Sequence, residues 1–582
     1  MALIVQKYGG TSVGTPERIQ AVAERIVQTS QEGHQVVVVV SAMGKTTDSL
    51  VALSKAVTDT PPRREMDMLL STGEQVSIAL VSMAIQSLGQ PAVSLTGGQV
   101  GILTEAEHGR ARILHIDPNR LMHHIKAGRV VVVAGFQGVS SSRDLEITTL
   151  GRGGSDTSAV ALAAALGADL CEIYTDVPGI LTTDPRLVPE ARVLNAITCE
   201  EMLELASLGA KVLHPRAVEI ARNFGVPLVV RSSWTDEPGT EVRSPGPRTI
   251  PRQDIEMSRL VDGVEVDDQQ VKVALRHVAD RPGVAAHLFR ALAKANINVD
   301  LIIQSIHAGN TNDIAFTVHR RDLARVTPLA HQVATELGGA EVDIDPQVAK
   351  VSIVGAGMIG RPGVASTMFS ALGDAGINIQ LISTSEIKVS CIIIAPDAPR
   401  AVGVLCQSFG VSCVASTPGE TDGAPVRGVA LDPRQAQMAI LQVPDRPGAA
   451  GRLFLALAQA RISVDMIIQS QRTTVTAGRV TRDIAFTLHE EDVPAAQQAL
   501  EPVLQTLDCG PVVVNPSIAK VSIVGTGMVE KPGVAAQLFE ALAAADINIQ
   551  MIATSEIKVS CLVGADRGVA ALQHIHQAFA LE

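Results

Sequence analysis

The sequence predicts a three-layer αβα domain on a mainly parallel central sheet, followed by four small βαββαβ modules. Three observations carry this. Near-continuous Val/Ile runs alternate with amphipathic helices up to about residue 232, a stretch rich in Pro and Gly follows, and the chain beyond it repeats itself. Alternation of buried strands with helices marks a parallel sheet covered on both faces.

At 582 residues the chain is too long for one core, and roughly three to five domains are expected. Hydrophobic residues make up 46% and aromatics only 2%, so the cores must be built from Val, Ile, Leu and Ala. The longest apolar runs, Val36–Val40 and Val130–Ala134, fall well short of the about 20 residues of a membrane span, so no membrane partner is expected. A net charge of −12 argues against nucleic acid, because phosphate binding needs a basic surface. Met1 leads straight into the strand-like Leu3-Ile4-Val5 without a targeting pattern, and a cytoplasmic protein is expected. Seven cysteines (Cys171, Cys199, Cys391, Cys406, Cys413, Cys509, Cys561) lack any CxxC spacing and read as reduced thiols.

Within the first domain, placed at 1–245, Gln35–Ser41, Val130–Ala134 and Pro227–Val230 read as strands and Ser158–Leu166 as a helix. Pro238, Gly239, Pro245, Gly246, Pro247 and Pro251 mark a break, with the linker set at 246–264. Beyond it Asp280-Arg281-Pro282-Gly283 returns as Asp445-Arg446-Pro447-Gly448, and Thr384–Cys391 returns intact as Thr554–Cys561. A finer period repeats Arg281-Pro282-Gly283-Val284 as Arg361-Pro362-Gly363-Val364 and, in the second copy, as Lys531-Pro532-Gly533-Val534. Modules are therefore expected at 265–345, 346–415, 435–514 and 515–582, with a second linker at 416–434.

The first module reads strand Val271–Val278, loop, helix Val284–Ala295, strands Ile297–Ile303 and Asn312–Val318, a helix to about Leu337 and a strand near Val342–Ile344. This order gives a ferredoxin-like sheet whose helix starts offer free N–H groups to a small zwitterion. The modules resemble the ACT domain, a small ligand-binding unit, and are expected in two tandem pairs. Gly355-Ala-Gly-Met-Ile-Gly360 imitates a dinucleotide turn, but its internal copy, Gly525-Thr-Gly-Met-Val-Glu530, has lost the third glycine. No nucleotide role is assigned to it.

Four constellations in the first domain carry chemistry. Lys7-Tyr8-Gly9-Gly10-Thr11-Ser12 follows the first strand; adjacent glycines let backbone approach a phosphate, though a plain glycine turn has the same residues. Ser41-Ala-Met-Gly44-Lys-Thr-Thr47 ends a second strand, where open α/β sheets bind ligands. Ser71-Thr72-Gly73-Glu74-Gln75 carries a carboxylate that taken alone reads as a helix cap. Gly151-Arg152-Gly153-Gly154-Ser155-Asp156 opens an Ala-rich helix and combines bare backbone, a guanidinium fork and an acid.

Together these segments resemble the amino acid kinase family and, within it, the aspartate kinases. Tyr174-Thr175-Asp176-Val177-Pro178-Gly179-Ile180, Thr183-Asp184-Pro185-Arg186 and Gly209-Ala210-Lys211-Val212-Leu213-His214-Pro215 extend the likeness in family order. Tyr8 departs from the frequent phenylalanine. The resemblance implies transfer of the γ-phosphate of ATP to L-aspartate, giving 4-phospho-L-aspartate at the head of lysine, threonine, methionine and isoleucine biosynthesis. It implies catalytic roles for Lys7 and Asp156, and substrate contacts from Thr47, Glu74, Arg152, Gly153 and Ser155. Lys7, Gly9, Gly10, Ser41, Thr175, Asp176, Asp184, Arg186 and Lys211 would line the nucleotide side. Mg²⁺ is expected with ATP rather than on a protein-only site.

The tail is expected to sense lysine, threonine or both. In the first copy the candidates are Asp280, Gly283, Val284, Gln304, Asn378 and Ile379; in the second, Asp445, Gly448, Ala449, Gln469, Asn548 and Ile549. Met358, Ser385 and Glu386, with Met528, Ser555 and Glu556, form a second class. Asp280 and Asp445 as plain helix caps is the alternative. Because such sheets often complete themselves across subunits, a homodimer is expected. Another amino acid kinase, acting on glutamate or acetylglutamate, and a sensor with an inactive kinase domain are the competing readings.

Overall fold

The computed structural model describes all residues except 209–211, 245–254, 257–259, 308–310, 359–360, 415–423, 477, 529–530 and 582. The described chain divides into two compact units, one holding most of residues 1–258 and the other the tail.

The first unit runs β1 (Leu3–Tyr8), α1 (Pro16–Gln31), β2 (Gln35–Val40), α2 (Thr46–Val57), α3 (Arg63–Leu70), α4 (Thr72–Ser87) and β3 (Ala92–Leu95). Next come β4 (Ile102–Thr104), β5 (Ile113–Ile116), α5 (Asn119–Lys126), β6 (Val130–Ala134), β7 (Gln137–Ser140) and β8 (Ile147–Thr149). The unit closes with α6 (Gly154–Leu166), β9 (Leu170–Thr175), β10 (Ala196–Thr198), α7 (Cys199–Ser207), α8 (Pro215–Phe224), β11 (Leu228–Ser232) and β12 (Thr240–Arg243).

Eight strands form one sheet in the order β10-β12-β11-β9-β1-β2-β6-β3. Its central pairings are parallel, and β12 against β11 is the antiparallel exception. The Val-rich β2 and β6 are buried along nearly their whole length, as a two-sided strand requires. On one face Ile19, Val22 and Ile26 of α1 and Ile78, Val81 and Ile85 of α4 pack against Val36, Val38 and Val132. Each such fully buried side chain contributes about 1.5–3 kcal/mol. Arg63–Ser87 is apolar enough in composition to cross a membrane, but it is two helices, and Ile78, Val81 and Ile85 of α4 pack into this core. Helix α6 is buried almost all round and packs against α8, which places its first turn beside the ends of β1 and β2. The β4, β5, β7 and β8 strands make a separate four-stranded sheet.

The tail shows the expected order in its first module: strand Gln270–Ala279, helix Val284–Lys294, strands Val299–His307 and Thr311–His319, helix Leu323–Glu336 and strand Glu341–Asp345. Two features differ from consecutive, tandemly paired modules. Strand Gly263–Asp267, which precedes the first module, pairs with Val348–Val354 and so completes the sheet of the second. Likewise strand Gly428–Pro444 serves two modules, pairing through Gly428–Asp432 with the fourth and through Gln435–Pro444 with the third.

The pairing of modules is also exchanged. The first module's edge strand joins the fourth through Ile303 opposite Ala553 and Gln304 opposite Ile552, and the two share one apolar core containing Phe289, Phe316 and Phe539. The second and third share another, containing Phe369, Phe454 and Phe486. The tandem pairing expected from the sequence is therefore replaced by first-with-fourth and second-with-third. All seven cysteines are free.

Candidate active site

The site forms where β1 and β2 end and α6 begins. Lys7, one residue from the end of β1, is nearly buried, and its Nζ lies 2.6 Å from Asp156 Oδ1 in the first turn of α6. Helix N–H groups and the macrodipole favour a carboxylate in that position. The glycines around the pair are forced by close approach: a Cβ on Gly10 would lie 2.6 Å from the Ala42 carbonyl oxygen. Gly153 has φ +68°, and a Cβ there would lie 2.3 Å from the His214 ring. Burial, with Arg216 alongside, holds the His214 imidazole below its ordinary pKa. Arg216 in turn donates to the Leu150 and Ala111 carbonyls and both Glu256 oxygens, which fixes the loop before α6.

Glu74, in the first turn of α4, is 3% exposed. One of its oxygens accepts from Ala42 N at 3.0 Å, and the other has no hydrogen-bond partner. Desolvation pushes its carboxyl up to about 7. The ring of Tyr8 stacks on Tyr174 at 4.7 Å, and its buried hydroxyl donates to Gln6 Oε1. That partner explains how tyrosine is accommodated at this position.

A cleft of about 680 Å³ brings together Lys7, Gly10, Ser41, Thr47, Glu74, Arg152, Gly153, Ser155 and Asp156. Gly9 sits behind Lys7, with its N–H donating to the Tyr174 carbonyl. Thr175 and Asp176 do not line the cleft; they stand at the end of β9, the neighbour of β1, with the Thr175 hydroxyl donating to Asp176 Oδ1 at 3.2 Å. Asp184 and Arg186 are elsewhere again, joined to each other by a fork of hydrogen bonds at 2.6–3.2 Å. Their segment, Thr182–Arg192, clusters with the tail's unit. Lys211 lies outside the described residues.

The amino acid kinase family profile matches residues 2–232. An aspartokinase of Mycolicibacterium smegmatis is 51% identical over 414 residues, which is 71% of this chain and 97% of the relative. Aspartokinase 2 of Bacillus subtilis is 52% identical over 71% of this chain and 98% of its own. The chain belongs to the aspartokinase family. It is accordingly a kinase, a phosphotransferase, with regulatory modules attached. ACT domain profiles match 273–335 and, separately, 351–409, 441–504 and 521–579. A crystal structure of aspartate kinase from Synechocystis is 60% identical and superposes with a TM-score of 0.88 over 100% of this chain and 98% of that one.

The aspartokinase cleft also holds residues that the sequence did not announce. Asp67 is 1% exposed and accepts from the Thr149 hydroxyl and N–H, from Gly109 N and, in the appropriate tautomer, from His108 Nδ1. This one carboxylate ties α3 to the β8 rim and to the turn before Arg110, and Arg63, His108 and Arg110 line the opening. An acid flanked by Met66 and Met68 on a short helix is the only sequence signal it leaves.

In the tail, the Asp-Arg-Pro-Gly aspartates are not caps. The helix starts fall on Gly283 and Gly448, neither with a side-chain cap bond. Asp280 Oδ1 instead accepts from Asn548 Nδ2 at 2.8 Å, and Asp445 Oδ1 from Asn378 Nδ2 at 2.9 Å. The expected sets, with Asn378 and Ile379 beside Asp280 and Asn548 and Ile549 beside Asp445, are thus exchanged between copies, following the module pairing. Gln304 Nε2 donates to the Ile549 carbonyl on the Asp280 side, whereas Gln469, Gly448, Ala449 and Ile379 line the Asp445 side. The second class is present as two cavities. Met358, Ser385 and Glu386 line one of about 240 Å³ with Asp465 and Lys520. Met528, Ser555 and Glu556 line one of about 310 Å³ with Asp300 and Lys350.

Proposed function

We propose that the protein transfers the γ-phosphoryl group of ATP to the side-chain carboxylate of L-aspartate, forming 4-phospho-L-aspartate and ADP. One observation carries this reading: a cleft that holds the Lys7–Asp156 pair also holds a buried Glu74 with an unpartnered oxygen. An ammonium is the group that such an oxygen lacks. Aspartate placed with its ammonium on Glu74 and its α-carboxylate on the Arg152 fork would direct its free carboxylate toward Lys7. That carboxylate is ionised at neutral pH, so no general base is required. Lys7 would offset charge on the transferring phosphoryl group, and Asp156 would hold the Lys7 ammonium in place. Thr47, Gly153 and Ser155 complete the substrate wall.

Gly9, Gly10 and Ser41 supply backbone and hydroxyl groups for the phosphates, and Thr175, Asp176, Asp184, Arg186 and Lys211 are assigned to the nucleotide. Mg²⁺ is proposed to enter with ATP, held chiefly by the substrate's phosphates and water rather than by a protein-only site. When bound it supplies neutralisation of phosphate charge.

The tail is proposed to bind lysine, threonine or both at the Asp-Arg-Pro-Gly loops and the second-class cavities, and to lower activity when occupied. The protein is proposed to act as a cytoplasmic homodimer in aspartate-derived amino acid biosynthesis. The test is ATP- and Mg²⁺-dependent formation of aspartyl hydroxamate, with lysine and threonine added singly and together. Activity on aspartate that falls with these amino acids is expected. Folded protein that binds them but has no activity on aspartate would make the chain a sensor.

A further inference from the structure

The two Asp-Arg-Pro-Gly loops have the same sequence but different company. At the first-with-fourth pair, both partners of Asp280 are neutral amides: Asn312 Nδ2 at 3.0 Å and Asn548 Nδ2 at 2.8 Å. Asn312 is 3% exposed, and its Oδ1 is buried without a hydrogen-bond partner. The nearby Arg472 is engaged by Asp313, whose side chain leaves the opposite face of the strand. Among the described residues, then, neither this carboxylate nor this amide oxygen is bonded to a cation. An unsatisfied buried acceptor beside a carboxylate is costly unless a donor arrives.

At the second-with-third pair, the residue in register with Asn312 is Arg482, as the shared Asp-Ile-Ala-Phe-Thr that follows each one shows. Its Nε lies 2.7 Å from Asp445 Oδ2, with both side chains nearly buried. Asp445 therefore already has a cation on one oxygen and the Asn378 amide on the other. The free space left around it is about 20 Å³, room for about one water molecule and not for an amino acid.

We propose that the Asp280 loop binds a small zwitterionic amino acid through its ammonium, while the Asp445 loop is filled by the chain's own Arg482 and binds none. Residues 312 and 482 set the difference. This rests on reading the loops as effector sites, and it narrows the expectation that both copies bind. The duplicated loop becomes a permanent clasp between the second and third modules, since Asp445 joins Asn378 to Arg482. The Asp280 loop meets the fourth module through the Asn548 amide, which leaves its carboxylate charge for a ligand ammonium to offset.

Calorimetric titration of the full chain with L-threonine and with L-lysine tests this, using Asn548→Ala, Asn378→Ala, Asn312→Arg and Arg482→Asn, each checked by thermal melting. In the wild type, Asn548→Ala should weaken one class of site by about ten-fold or more, the scale of a hydrogen bond to a charged group, and Asn378→Ala should leave that site unchanged. Arg482→Asn, which returns Asp445 to two amide partners, should add one further site that Asn378→Ala then removes. Asn312→Arg should abolish the first. A wild type that loses one site with Asn378→Ala, or an Arg482→Asn variant that folds and gains nothing, overturns the proposal. If neither Asn548→Ala nor Asn378→Ala alters binding of either probe, the effector-site reading itself fails and the proposal with it.

Discussion

The Lys7 ammonium lies 2.6 Å from the Asp156 carboxylate and joins the end of the first strand to the first turn of helix α6. Both side chains are only 11% exposed. Lys7→Ala should lower kcat by about 10²–10³-fold, the cost of removing one preorganised charge from a transition state. It should also lower the melting temperature, because a buried carboxylate is left unpaired. The double variant Lys7→Ala/Asp156→Asn should recover stability and no activity. Near-normal turnover in well-folded Lys7→Ala would remove Lys7 from the mechanism.

Glu74 predicts a pH dependence. Its carboxyl is pushed up to about 7 by burial, and a substrate ammonium needs it ionised. kcat/KM for aspartate should therefore rise with pH through about 7, while KM for ATP stays flat. The stability term has the opposite sign: between the unfolded value near 4.3 and about 7 the folded state holds the extra proton, so this group's contribution falls as pH rises. Glu74→Gln should erase the kinetic limb; a limb that survives in that variant belongs to another group.

The Arg152 fork is exposed at the rim of the cleft and shares it with Glu74. Arg152→Ala should raise KM for aspartate by about 10–100-fold, as loss of a bidentate carboxylate contact does. KM for ATP should change far less. Equal effects on both substrates would place the guanidinium on another group.

Gly10 tests the backbone. An added Cβ meets the Ala42 carbonyl oxygen at 2.6 Å, and backbone cannot swing aside as a side chain would. Gly10→Ala should cost more than ten-fold in kcat/KM with the far-ultraviolet circular dichroism unchanged. A fully active variant would show that the loop has room the structure denies.

Asp465 and Lys520 form an ion pair linking the third module to the fourth. Burial alone would raise the Asp465 pKa, but Lys520 beside it, with Lys558 further off, holds it well below the usual carboxylate range. A depressed carboxylate contributes stability above its unfolded pKa and loses it as pH falls toward the folded one. Acid melts should therefore steepen below about pH 4, and Asp465→Asn should flatten that loss. At pH 7 the same variant should be less stable by about 3–5 kcal/mol, because Lys520 is left buried alone.

The parallel strands are legible in the sequence because burial on both faces leaves continuous Val runs such as Gln35–Val40. Glu74, Arg152 and Asp156 are legible because glycine, arginine and acid cluster locally. Asp67 is not: its partners Gly109 and Thr149 lie 42 and 82 positions away, and nothing local distinguishes it from a surface acid. The module pairing is illegible for a different reason. Like modules alternate along the chain, so the repeat is equally compatible with tandem and crossed pairs, and the choice falls to the edge contacts of Ile303 and Gln304 with Ala553 and Ile552.

Crossed pairing also sets a timetable for synthesis. The backbone of Ile302 finds its partner in Thr554, 252 positions later. At about 5–20 residues per second, the first module leaves the ribosome on the order of tens of seconds before the fourth exists. Throughout that interval the strand Val299–His307 carries an open edge, a template on which another chain can add. The tail therefore reaches its native sheet only once the fourth module has been made, and a nascent chain stalled before Met551 would offer that edge to its neighbours.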